Sequence, residues 1–378
     1  MAWPTPVAWP TKDRCRWPAI SEIVSGRGGG ERWMVLKSSF EGCASLLSIG
    51  AVVAIFGLAF WGNAVPAVAQ QNGSGELDVL KLRPNFYMIA EPDGGNIAVQ
   101  TGKDGTILVN AGSVNGADRA IAAIKKISDQ PIRYIIDTSA DSDLVGGNAK
   151  LAHAGRNIMA MGPEPLGGAF VKEMTSNYAA SIFSAEQTLF RMSAPTGQKS
   201  PYPQDAWPVE VFAERRRDMY FNGEGCQIYH EPAAHSDGDA VVLFRGSDVV
   251  VAGDIIDANR FPWIDLSRGG SIQGEIEALN HIIDLSVRPM PFVFQEGGTY
   301  IVPGHGRVYT KRDAVGYKDM VVTIRDIIQD MIRSGMTLAQ IKEASPAKAY
   351  ELEYGAKSGP WTTNDFVEAV YKGLTAKK

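Results

Sequence analysis

The sequence contains few of the residues that build disulfide frameworks or histidine-rich metal centres. Among its 378 residues there are 3 cysteines and 5 histidines. So few cysteines exclude a small disulfide-stabilised scaffold, and a metal site would have to use carboxylates as well as imidazoles. Positive charge is not in excess either, because 37 Lys and Arg residues face 42 Asp and Glu residues, for a net charge of −5. This balance argues against a protein that binds nucleic acid through bulk charge.

Charge is missing altogether from one segment near the N-terminus. Residues 43–70 contain no charged side chain, and residues 44–61 form a long apolar run. Lys37 precedes this run, and the small residues Ala67 and Ala69 follow it. An apolar stretch with a positive flank and an A-x-A site is typical of a secretory signal peptide.

We therefore expect residues 34–69 to be a signal peptide cleaved near Ala69, preceded at 1–33 by a disordered or wrongly assigned lead. The alternative is an uncleaved membrane anchor, because the apolar run is close to the length that spans a bilayer. The first interpretation predicts a periplasmic or secreted protein. The second predicts membrane contact through this segment alone.

After the leader, strand and helix patterns alternate along a chain that is 45% hydrophobic and 21% charged, enough for a large core. The predicted strands cover residues 86–89, 96–100, 106–109, 132–137, 157–161, 218–221, 227–230, 240–245, 248–252 and 299–303. The predicted helices cover 117–127, 147–153, 166–192, 272–285, 311–334 and 363–374, and another begins with a capping box at Thr337. The pattern favours two mixed sheets packed face to face with helices outside, over a generic α/β domain.

Four short segments place ionisable residues at turns beside apolar strands. They are S-A-D-S-D-L-V-G-G-N at 139–148, A-H-S-D-G-D at 234–239, A-G-D at 252–254 and P-G-H-G at 303–306. Loops at strand ends are where polar side chains commonly converge on a functional site.

Together and in this order, these segments resemble the metallo-β-lactamase-fold superfamily of αββα hydrolases. Its members carry H-x-H-x-D-H after a strand, then G-G-N, a single His, an Asp in a G-D pair and a final His in G-H-G. The resemblance covers residues 85–307. It implies an α+β or α/β fold, with a four-layer αββα sandwich over residues 77–310 and a C-terminal helical extension, 311–378, packed on the same domain.

The chain departs from the family in the first motif, where Ser139, Asp141 and Leu144 replace three histidines and Asp143 remains. The resemblance implies that Asp143 orients a water nucleophile. It also implies a metal-ligand set of Asp141, Asp143, His235, Asp254 and His305. The other histidines, His153, His230 and His281, are predicted to lie on the surface or to have structural roles.

Several carboxylates close together repel one another, and a bound cation relieves that repulsion. The resemblance therefore predicts a divalent metal ion, with one ion per chain favoured over two. Carboxylate-rich ligands favour Mn, Fe or Mg, and Zn is also compatible with them. The alternative is that protons, arginines or water satisfy these groups.

These observations lead to an exported metal-dependent hydrolase acting on a small-molecule substrate of the acyl, ester, lactone or thioester class. The loops at 193–208 and 261–270 are expected to determine which substrate is used. One alternative is a pseudoenzyme or periplasmic binding protein that has lost metal catalysis. Another is an oxidoreductase that uses a non-haem metal. The oligomeric state is left open.

Overall fold

The protein is described by a computed structural model that covers residues 77–92, 94–157, 179–289 and 297–376. The predicted lead and the predicted signal peptide or anchor lie outside these residues. So do most of the predicted strand 157–161 and the first part of the predicted helix 166–192. In the portion covered, no helix has both the length and the apolar character needed to cross a membrane.

The first sheet has seven strands that follow one another in chain order. They are β1 (Asp78–Arg83), β2 (Phe86–Ala90), β3 (Ile97–Gly102), β4 (Gly105–Val109), β5 (Ile132–Ile136), β6 (Ser181–Ala185) and β7 (Glu210–Phe212). Strands β1 to β4 pair antiparallel through short turns, whereas β4 to β7 pair parallel. Parallel pairing brings the carboxyl ends of β4, β5 and β6 to one edge of the sheet.

The second sheet has five strands in the order β12-β11-β10-β9-β8. They are β8 (Arg216–Phe221), β9 (Glu224–Glu231), β10 (Asp239–Phe244), β11 (Val249–Asp257) and β12 (Tyr300–His305). Only the β11–β12 pair of this sheet is parallel, and a helix lies between these two strands in the chain.

The described residues contain nine α-helices. They are α1 (Ala117–Ile127), α2 (Ser142–Val145), α3 (Asn148–Ala154), α4 (Glu186–Met192), α5 (Ile272–Leu285), α6 (Lys311–Arg333), α7 (Leu338–Ala344), α8 (Glu351–Tyr354) and α9 (Thr363–Thr375). The predicted capping box at Thr337 is present, with Gln340 as its partner. Capping boxes at Thr310 and Thr362 likewise begin α6 and α9.

Three apolar clusters fill the spaces between these layers. One lies between the sheets and joins residues such as Phe86 and Val109 to Ile228 and Val242. A second packs α1 and α3 on the first sheet. A third packs α5, α6 and α9 on the second sheet, so that Phe366 belongs to the same core as β11. The predicted four-layer αββα fold with C-terminal helices is confirmed.

The prediction of one continuous helix over residues 166–192 is wrong at residues 181–185, whereas its C-terminal end at 186–192 is helical. Ser181–Ala185 forms β6, whose five residues are all buried, and the helix α4 begins only at Glu186. Short apolar runs fit a buried strand as well as a helix by periodicity. Parallel pairing with β5 and β7 on either side decides the outcome here.

Candidate active site

The five predicted site residues come from separate segments and line one cavity of about 260 Å³. Asp141 and Asp143 follow β5, His235 lies in the turn between β9 and β10, Asp254 is in β11, and His305 ends β12. The two sheets therefore bring these side chains together at one edge of the sandwich.

Asp141, His235 and Asp254 form the most compact part of this set. Each offers a ligand atom, and these atoms all lie within 4.8 Å of one another. The Nε2 atom of His235 is 3.1 Å from Oδ2 of Asp141, and the His235 side chain is only 1% exposed. This spacing suits a single coordinated cation.

A second carboxylate fixes the orientation of the His235 ring. Its Nδ1 is 3.1 Å from Oδ1 of Asp239. This Oδ1 also accepts a hydrogen bond from the Ser236 hydroxyl, and Oδ2 of Asp239 accepts one from the Ser236 backbone N–H. The buried Nε2 has no hydrogen-bond partner in the described structure, because Asp141 lies within ion-pair distance but not in hydrogen-bond geometry. Burial alone would lower the pKa of His235, yet the charge of Asp239 and the close side-chain contact with Asp141 raise it well above its usual range.

Asp254 lies between the two histidines of the cavity, with its side chain 10% exposed. Its Oδ2 accepts a 2.8 Å hydrogen bond from the Ser139 hydroxyl, at a position where the family resemblance expects a histidine. Burial raises the pKa of Asp254 to about 7, against the opposing charge of His235. Gly253 makes the required bend at φ +55°, where a Cβ would lie 2.4 Å from the Thr138 hydroxyl oxygen.

Asp143 and His305 form an ion pair on the other side of Asp254. Nε2 of His305 is 3.2 Å from Oδ2 of Asp143 and 3.6 Å from Oδ1 of Asp254. Burial alone would lower the pKa of His305, but Asp143 and Asp254 raise it to about 8. Burial alone would raise the pKa of Asp143, but His305 holds it below its usual value. At neutral pH this geometry therefore favours a charged pair.

Leu144, at the remaining replaced position, is not part of the cavity lining. It is fully buried in an apolar cluster with Ala140, Val145 and Met192. A Cβ on Gly95 would lie 2.0 Å from its Cδ2 atom, so the packing around it is tight. This motif position has become part of the core.

The cavity also contains two arginines that the sequence analysis did not single out. Nη1 of Arg268 is 2.5 Å from Oδ1 of Asp141, and its Nε is 2.6 Å from Asp265. Arg260 pairs with Asp257, and its guanidinium lies 5.9 Å from the ring centre of Trp263. Both arginines lie in the segment after β11, and no spacing signal in the sequence distinguishes them from surface residues.

The other three histidines lie outside the cavity lining. His153 is exposed and pairs with Asp205, His281 pairs with Glu231, and His230 lies in β9 with its Nε2 2.7 Å from the Asp237 carbonyl. These positions agree with the surface and structural roles predicted for them.

Comparisons with known proteins bear on the family and the fold of the chain. A sequence model described as the metallo-beta-lactamase superfamily matches residues 90–305. A solved metallo-β-lactamase from Pontibacter korlensis is 14% identical, covering 65% of this chain and 99% of its own, with a TM-score of 0.46. The stereoselective inverting sec-alkylsulfatase Pisa1 from Pseudomonas sp. is 13% identical, covering 78% of this chain and 50% of its own, with a TM-score of 0.51. No curated protein matches the chain.

Proposed function

Because the chain belongs to the metallo-β-lactamase superfamily of hydrolases, we propose that it hydrolyses a small molecule with one divalent metal ion in the cavity. The observation that carries the proposal is the buried, unpartnered Nε2 of His235 beside Asp141 and Asp254. An imidazole whose other nitrogen is fixed by a carboxylate is the usual arrangement of a metal-ligating histidine.

The chemistry of these donors fits a catalytic ion. Asp141, His235 and Asp254 would supply three protein ligands, which leaves room for water or substrate. Two carboxylates and one imidazole suit Zn, Mn or Fe. One ion is favoured over two, because His305 is already paired with Asp143 and Leu144 is packed into the core.

An ion bound there would polarise the substrate carbonyl and lower the pKa of water. The side chains around it supply the remaining functions. Asp143 is 37% exposed to the cavity and its lowered pKa keeps it ionised, so it can orient a water molecule and accept its proton. The Nε2 atom of His305 holds that carboxylate in place. Trp263 and Arg260 also line the cavity.

The proposed substrate class is an acyl compound, namely an ester, lactone or thioester, whose carbonyl can be attacked by water. The proposed location is the periplasm or the exterior of the cell, and the support for it is the apolar segment with its A-x-A site at 67–69.

A second candidate is a binding protein without metal catalysis. The specific observation in its favour is Arg268, whose guanidinium already balances the charge of Asp141 at 2.5 Å. With the histidines of the first motif replaced, an internal cation of this kind could stabilise the carboxylates without any bound ion.

Metal analysis separates the two candidates. We expect wild-type protein purified without chelator to contain about one equivalent of Zn, Mn or Fe, and Asp254→Asn to contain almost none. Asp205→Asn is a matched control, because Asp205 is an exposed carboxylate that contacts a histidine outside the cavity. Wild-type protein should also hydrolyse members of a panel of esters, lactones and thioesters. Folded wild-type protein that takes up no metal and gains no thermal stability from it would support the second candidate.

A further inference from the structure

A short loop before α5 directs Arg268 into the cavity. Arg268 ends a 3₁₀ turn at Leu266–Arg268, which Asp265 caps by accepting hydrogen bonds from the Ser267 and Arg268 backbones. The same Asp265 side chain contacts Nε of Arg268 at 2.6 Å. Gly269 then reverses the chain at φ +85°. Backbone and side chain of the arginine are thus held by one carboxylate, so its orientation is built into the fold.

Each carboxylate oxygen of Asp141 lies close to a nitrogen of another side chain, and only the contact with Arg268 is a close ion pair with a permanent cation. Oδ1 of Asp141 is 2.5 Å from Nη1 of Arg268, and its Oδ2 is 3.1 Å from Nε2 of His235. The Asp141 and Arg268 side chains are each only 22% exposed, so solvent screens their attraction less than at the surface. A metal ion that takes Asp141 as a ligand must share this carboxylate with the guanidinium or displace it.

We propose that Arg268 is a built-in competitor for the metal ion at Asp141 and thereby sets the metal affinity of the site. This inference rests on the proposed function, since it takes Asp141, His235 and Asp254 as the ligands. The guanidinium neutralises Asp141 while no ion is bound. When an ion takes that oxygen, Arg268 must give up its Nη1 contact with Asp141. Two cations near one carboxylate repel, so the arginine weakens metal binding.

The test compares metal affinities of full-length variants after removal of metal with a chelator. Zn²⁺ and Mn²⁺ dissociation constants would be measured by competition with a chromophoric chelator. We expect Arg268→Gln to bind both ions roughly tenfold or more tightly than wild type, because one charge a few Å from the ion is removed. Arg268→Lys keeps the charge and should remain within a few-fold of wild type.

Arg191→Gln is the matched control. Arg191 also pairs with an aspartate at 2.6 Å, namely Asp237, but it does not line the cavity. Its replacement should leave both dissociation constants unchanged. The melting temperature of the metal-free protein is a second measurement. It should fall in Arg268→Gln, and added metal should raise it by more than in wild type.

The possible outcomes also distinguish this inference from the proposed function. Equal or weaker affinity in Arg268→Gln, with metal bound by wild type, would overturn the competitor role and leave the proposed function standing. Binding by Arg268→Gln but not by wild type would support competition and overturn the proposed function of the native chain. Binding by neither would overturn both. If Arg268→Gln does not fold, the same measurement is made on Asp265→Asn, which weakens the contact that orients the Arg268 guanidinium. An unchanged metal affinity in Asp265→Asn would overturn the proposal.

Discussion

The two histidines of the cavity flank the same aspartate, Asp254, but have different surroundings. His235 is 1% exposed, with its Nδ1 fixed by Asp239 and its Nε2 left without a hydrogen-bond partner. His305 is 14% exposed, and its Nε2 is engaged by Asp143 and Asp254. Similar glycine-containing turns have thus produced one ring with an available ligand atom and another in an ion pair. Under the proposed function, the cavity is divided into a metal-binding half around His235 and a proton-handling half around His305.

The replaced motif residues explain why the halves differ. Around His235, Asp141 offers a carboxylate, and Ser139 anchors Asp254 with a 2.8 Å hydrogen bond. Around His305, the replacement is Leu144, which packs into an apolar cluster. Donor atoms therefore persist in one half, whereas the other has lost a donor to the core.

Replacing each histidine tests this division most directly, and the largest effect should come from His235→Gln. We expect this variant to lose nearly all bound metal and its hydrolytic activity, because it removes the ligand atom at the centre of the cluster. His305→Gln should keep most of the metal. Mass spectrometry measures the metal content of both variants, and His153→Gln is the control because His153 is exposed. Equal metal loss in the two cavity variants would show that the halves do not differ.

Asp143→Asn should separate proton handling from metal binding. Since Asp143 contacts His305 and faces the cavity, we expect kcat to fall by about 10²- to 10⁴-fold, the usual contribution of a general base. Metal content should stay at the wild-type level. Loss of metal instead would mean that Asp143 is a ligand, as the family resemblance implies, and that the ion lies between the halves.

Asp239→Asn should have a smaller effect on the metal half. Asp239 contacts only Nδ1 of the His235 ring, so its charge acts on the ion through the imidazole. Loss of such a carboxylate commonly weakens metal binding by about 10- to 100-fold. Asp237→Asn is the neighbouring control, because Asp237 pairs with Arg191. Metal titration gives the dissociation constants of both variants. Equal dissociation constants for Asp239→Asn and Asp237→Asn would show that Asp239 does not support metal binding through His235.

Much of this architecture could be predicted because strand ends determine where the following residues lie. The order of the four turn segments was enough to place Asp141, Asp143, His235, Asp254 and His305 at one cavity, although their role as ligands stays a prediction. The burial of Leu144 depends on how tightly Gly95 approaches it. The Arg268–Asp141 contact joins segments far apart in the chain, and neither segment shows a signal for the other. Similarly, only pairing with β5 and β7 shows that Ser181–Ala185 is a strand.

The smallest predicted effect is a pH dependence of stability in the half that contains His305. Asp143 and Asp254 raise the pKa of this histidine to about 8, above an unfolded value of about 6.5. The protonated ring therefore stabilises the folded protein fully below about pH 6.5, and this contribution is lost as the pH rises through about 8. A shift of this size corresponds to about 2 kcal/mol of unfolding free energy.

Denaturant unfolding of chelator-treated protein at about pH 6 and about pH 9 measures this contribution. Burial raises the pKa of Asp254 to about 7, so its ionisation also lowers stability as the pH rises. For that reason the quantity to compare is the difference between wild type and His305→Gln. The difference in unfolding free energy between the two proteins should be larger at about pH 6 than at about pH 9. An equal difference at both pH values would mean that the charge of His305 does not stabilise the folded protein. The ion pair with Asp143 would then contribute nothing measurable to stability.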